Sequence, residues 1–142
     1  MLRKGLIGLD SFLALTAIGG GLALLGGWAA PPLDYLAGSP FPDYTIPGLA
    51  LLVLIGGGSL AATLLLARRH PLGVPASGLA GLAVVIFEIV EVAVLLTRMG
   101  RAGYSVLQPF YFVYGLAMVA LAARLWAGEH AAPARPLAGS HA

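Results

Sequence analysis

The chain has 142 residues, 59% of them hydrophobic and only 10% charged, with a net charge of +2 and no cysteine. A soluble domain carries roughly 25% charged residues, so lipid is the expected solvent for this composition. The small net charge argues against a nucleic-acid partner, and the lack of cysteine excludes disulfides, thiolate metal sites and thiol redox chemistry.

In hydrocarbon every backbone polar group must be satisfied internally, so only helices or closed barrels can span a bilayer. The apolar runs here are continuous rather than alternating, which predicts helices. The first helix is expected over residues 5–27, preceded by Arg3 and Lys4. At 1.5 Å per residue it spans roughly 33 Å, a full bilayer core. A signal peptide with small residues Gly27 and Ala29 before the cut is the competing reading. The apolar stretch is longer than a signal h-region, however, and Asp10 interrupts its start.

Residues 28–47 form a polar connection containing Pro31-Pro32, Pro40, Pro42 and Pro47. Proline removes donors and blocks helix continuation, so this is an outer loop with one short turn near 33–36. The second helix is expected over 48–67, stopping at Arg68-Arg69-His70-Pro71. The third is expected over 74–97 and the fourth over 104–126, joined by a short turn from Arg98 to Gly103 that makes them antiparallel neighbours. The tail 127–142, rich in Ala and Pro, is expected to be disordered. The predicted fold is an all-α membrane protein, an antiparallel bundle of four transmembrane helices.

An even number of spans places both termini on one side. Arg3, Lys4, Arg68, Arg69, Arg124 and Arg135 then share that side, against Arg98 and Arg101. The positive-inside rule makes it the cytoplasmic side of a bacterial-type inner membrane, with the tail inside and the proline-rich loop outside.

Small residues recur at four-residue spacing: Gly19, Ala23 and Gly27 in the first helix, and Gly56-Gly57-Gly58 leading into Ala61 and Ala62 in the second. Such faces let two backbones approach closely in lipid. They serve either the packing of these two helices on each other, or a homo-oligomer or partner interface, or a substrate groove.

The sharpest signal is Phe87-Glu88-Ile89-Val90-Glu91 in the third helix. Carboxylates three apart share a helix face, and Arg98 lies seven residues beyond Glu91 on the same stripe. About a dozen apolar side chains favour insertion of this helix by about 5 kcal/mol, while two central glutamates oppose it by roughly 5 to 7. The glutamates are therefore expected to face the bundle or water rather than lipid. Close carboxylates resist ionising together, so at least one is expected to hold a proton at neutral pH.

Depth counted from the outer end at 1.5 Å per residue suggests partners. Tyr111 falls level with Glu91, and Tyr114 level with Glu88. Ser59, the Gly56–Gly58 run and Thr16 reach a similar level. Asp10 is expected near the inner surface, too far away to touch Glu88. Intramembrane carboxylates mark ion paths and proton relays, or they fix helix packing and subunit pairing. The candidate ligand- or proton-binding residues are Glu88, Glu91, Tyr111, Tyr114, Ser59 and Arg98.

Other motifs carry less. Phe110-Tyr111-Phe112, with Tyr104 and Tyr114, reads as an interfacial aromatic belt, with a flat ligand such as a quinone as the alternative. His70, His130 and His141 lie outside the spans, which excludes a bis-histidine haem within this chain and gives no metal site. No nucleophile elbow or phosphate loop is present, so no enzyme and no cofactor are expected.

Pro40-Phe41-Pro42-Asp43-Tyr44-Thr45-Ile46-Pro47-Gly48, the following Gly56-Gly57-Gly58, and Leu107-Gln108-Pro109 resemble segments of small uncharacterised four-helix bacterial membrane proteins. That resemblance implies the fold and carries no activity. Four spans with a membrane glutamate are also similar to small multidrug transporters. Those bear their key glutamate in the first helix, where this chain has only Asp10. The leading expectation is a non-enzymatic accessory or interaction subunit with a buried glutamate pair. The alternative is a small proton-coupled transporter.

Overall fold

The computed structural model describes residues 1–99 and 105–131, with side chains as far as Thr97 and again from Ser105. The turn with Arg101 and Tyr104, the Arg98 side chain and the tail from 132, including Arg135 and His141, lie outside the described residues. Among the described residues there are four long helices and no strands. They are α1 (Leu2–Gly26), α2 (Thr45–Ala67), α3 (Gly73–Met99) and α4 (Leu107–His130). Each is long and apolar enough to cross a membrane.

The helix ends follow local chemistry. α1 takes in Arg3 and Lys4 and stops at Gly26 because Gly27 adopts a left-handed φ of 75°, which a side chain would oppose. A 3-10 turn at Leu33–Leu36 follows the proline pair and buries Leu36 against α3. α2 begins before Pro47, not after it. Asp43 Oδ1 accepts the Thr45 N–H at 2.8 Å, and a proline in the first turn deprives the helix of no internal hydrogen bond. Between Ala50 and Gly57 the backbone of α2 opens into a wider π-helical stretch, where it lies along α1. α4 starts later than expected, at Leu107, and runs past residue 126 to His130. The first part of the expected disordered tail is therefore helix.

α4 opens on a reciprocal cap. Gln108 Oε1 accepts both the Ser105 N–H and the Ser105 hydroxyl at 2.8 Å, and Ser105 Oγ accepts the Leu107 N–H at 3.2 Å. This Ser-x-x-Gln pairing resembles a capping box set one residue ahead of the helix, and it satisfies donors at the helix entry.

The packing face of α1 differs from the expected stripe. Leu6, Leu13, Ala17 and Gly21 are buried, whereas nothing lies within 4 Å of a side chain built at Gly19 or Gly27. The close approach to α2 is made by Gly21, where a Cβ would stand 2.7 Å from Leu52 Cβ, and by Gly56, 2.6 Å from Ile18 Cγ1. α3 and α4 meet more tightly still. A Cβ on Gly115 would stand 2.6 Å from the Gly81 carbonyl oxygen, so only glycine permits that contact.

Leu13, Ala17, Ile55, Ala80, Val84 and Met118 form the central core. Leu6, Leu66, Val74 and Ala122 form a second cluster toward the termini. At that end Arg3 pairs with Glu129, tying the start of α1 to the end of α4. Large apolar side chains, among them Leu15, Val53, Leu54, Leu79, Ile86, Ile89 and Val113, point outward.

Candidate functional site

Glu88 and Glu91 face inward. Glu88 is only 6% exposed, although it sits on a helix whose neighbouring Ile89 is 54% exposed. Both carboxylates line a cavity of about 270 Å³ in which Thr16 and Gly20 of α1, Leu51 of α2 and Tyr111 and Gln108 of α4 also take part. Such a volume is large enough for several waters or a small molecule.

The two carboxylates are served differently. Glu91 Oε1 accepts a hydrogen bond from Gln108 Nε2 at 3.2 Å. Gln108 is thus used at both ends, its oxygen on the α4 cap and its nitrogen on Glu91. Glu88 Oε2 is buried and accepts nothing. Glu88 and Gln108 also form the base of a second, almost wholly apolar crevice of about 470 Å³, lined by Ile89, Val92, Leu96, Pro109 and Phe112. These two side chains therefore line both the cavity that holds the carboxylate pair and the adjoining apolar crevice.

The expected tyrosine pairings are replaced. Tyr111 lines the cavity beside both glutamates, but the hydrogen bond on Glu91 comes from Gln108. Tyr114 does not serve Glu88. Its hydroxyl donates to the Leu9 carbonyl of α1 at 2.8 Å, and its ring lies 5.6 Å from that of Phe12. Residue counting gives height along a helix but not rotation about it, and the Gly81–Gly115 contact sets that rotation. Thr16 lines the cavity while its hydroxyl donates back to the Phe12 and Leu13 carbonyls. Ser59 is fully buried, its hydroxyl unpartnered, and it is not part of the cavity lining. The Arg98 side chain falls outside the described residues.

The proline-rich loop reaches the same end of the molecule. Tyr44 donates its hydroxyl to the Pro32 carbonyl at 3.3 Å. Burial raises its phenol above the usual value, with the charges of Tyr35 and Glu91 adding to the effect.

Asp10, expected close to the inner end of its span, is fully buried between helices, and Ser77 Oγ donates to its Oδ2 at 2.6 Å. Sequence reasoning missed Ser77 and Gln108. Gln108 was recognisable from the Ser105-x-x-Gln108 cap, and Ser77 carried no signal of its own. Among the described residues no group of three or more His, Cys, Asp or Glu is arranged to hold a metal.

The described residues thus define an all-helical chain with four helices able to cross a membrane and a cavity that carries two carboxylates. Comparison with protein-family models, with curated proteins and with solved structures gives no match.

Proposed function

We propose that the chain is a non-enzymatic integral membrane protein that binds a small cationic or proton-donating molecule at Glu88 and Glu91, as a small proton-coupled transporter does. Its four helices cross the bilayer as an antiparallel bundle, with both termini and most of the basic residues on the cytoplasmic face of the cell membrane. The outward apolar faces and the Arg3–Glu129 tie between the chain's ends support this arrangement. The observation that carries the reading is the buried, unpartnered Oε2 of Glu88 beside a cavity shared with Glu91. A buried acceptor left unsatisfied is costly, and a cation or a donated proton is what such a group takes.

Benzylamine tests it, because its ammonium can donate to both carboxylates and its ring suits Tyr111 and the apolar lining. Calorimetry on the protein in lipid nanodiscs is expected to show binding that weakens at least about ten-fold in Glu88→Gln and in Glu91→Gln. Proton flux in proteoliposomes should fall with it. Wild-type binding and flux in both variants would sink the reading.

A second reading rests on the apolar crevice, where Ile89, Val92, Leu96 and Phe112 adjoin Glu88. A partner helix seated there would make the chain an accessory subunit. Purification from native membranes in mild detergent separates the two. A stoichiometric partner lost in a Val92→Trp variant favours the subunit, and recovery of the chain alone favours the self-sufficient binder.

A further inference from the structure

A second carboxyl site lies on the other side of the apolar core from the glutamates, between α1 and α3. Asp10 is 0% exposed, and its Oδ1 accepts no hydrogen bond. The Ser77 hydroxyl on Oδ2 is its hydrogen-bond partner. No positive side chain stands beside it among the described residues. α2 has no titratable side chain between Thr45 and Ala67. Those of α3 are Glu88 and Glu91, about 16 Å or more along the helix from Ser77, and Arg98 at the far end. From α4 the titratable groups at this level are Tyr114, bonded to the Leu9 carbonyl one residue from Asp10, and Arg124, which is exposed two residues beyond the Ala122 that packs beside Gly78. On α1 itself, Arg3 is engaged with Glu129, and Lys4 is exposed.

Among the described residues the charge on Asp10 therefore has no counterpart, and full enclosure leaves no space for a hydrated ion. A proton needs none.

We propose that Asp10 is a second proton-binding site, independent of the glutamate cavity, that takes its proton on the unpartnered Oδ1 while Ser77 keeps its bond to Oδ2. Only one O–H bond forms, on Oδ1, with the proton taken from solvent when the local packing opens and returned to it as pH rises. This assignment does not rest on what the cavity binds.

Infrared spectra of the full chain in lipid nanodiscs, recorded across pH, test it. A protonated-carboxyl C=O band is expected that disappears in Asp10→Asn and changes frequency in Ser77→Ala, where its hydrogen bond is lost. The band should persist in the Glu88→Gln/Glu91→Gln double variant, whose benzylamine binding is the separate readout for the cavity. Asn keeps an acceptor for Ser77, so the fold is expected to survive. Should Asp10→Asn fail to fold, the Ser77→Ala frequency decides alone. A spectrum unchanged at every pH by Asp10→Asn, or by Ser77→Ala in that case, overturns the assignment.

Discussion

The two carboxyl sites of this molecule sit in opposite surroundings. The glutamate pair opens on a cavity, has an amide donor on one member and leaves an oxygen of the other without a hydrogen-bond donor from the protein. Asp10 is sealed between helices, with a hydroxyl on one oxygen and apolar packing around the rest. The lesson is that chemical type does not decide a buried carboxylate's role. The space beside it does: where a cavity adjoins, a molecule can bind, and where none adjoins, only a proton can.

The bluntest way to break this comparison is to part α3 from α4, the helices that carry Ser77, the glutamates and Gln108. Gly115→Leu places side-chain atoms where the Gly81 carbonyl stands, and backbone cannot yield as a flexible side chain does. Folded yield, read by size-exclusion chromatography in detergent, is expected to collapse. Gly19→Leu, with nothing within 4 Å, should leave it at the wild-type level. Next in size is the loss of ligand affinity in the two glutamate variants described above, which is expected to leave the Asp10 infrared band in place.

A smaller effect sharpens the distinction from the cavity side. Gln108→Ala deletes the α4 cap and the donor on Glu91 together. It is expected to lower stability by about 1–2 kcal/mol, read as a fall in Tm of the detergent-solubilised protein. On the sealed side, Ser77→Ala removes one interhelical hydrogen bond. Such bonds average about 0.6 kcal/mol in membrane proteins, so its Tm shift should be the smaller of the two. A larger shift from Ser77→Ala than from Gln108→Ala would reverse the ranking of the sites.

The smallest effect lies in the loop that reaches the cavity end. The Thr45 N–H holds the Asp43 carboxyl below its usual value of 3.8. A folded-state value below the unfolded one means that its contribution is complete above pH 3.8 and is lost as pH falls through the lower folded value. Asp43→Asn is expected to flatten the acid limb of the pH–stability profile, with a small loss of stability at neutral pH and little change at the acid end.

Much of the framework was legible in the chain itself. Four helices long and apolar enough to span a membrane, the turn at Leu33–Leu36 and the inward-facing glutamates all follow from apolar runs, prolines and the cost of placing carboxylates in lipid. The helix ends were less legible. Pro47 reads as a stop, yet in a first turn a proline is harmless, and the Asp43 cap moves the start of α2 ahead of it.

Rotation about each helix axis was decided by tertiary packing alone. Gly21 and Gly56, rather than Gly19, set how α1 meets α2, and Gly81 against Gly115 sets how α3 meets α4. These contacts turn Gln108 toward Glu91, Tyr114 toward Leu9 and Ser77 toward Asp10. The physical reason is one of range. Hydropathy and capping act through neighbours a few residues apart and are written along the chain, whereas the azimuth of a helix depends on which small residue of another helix lets two backbones come closest.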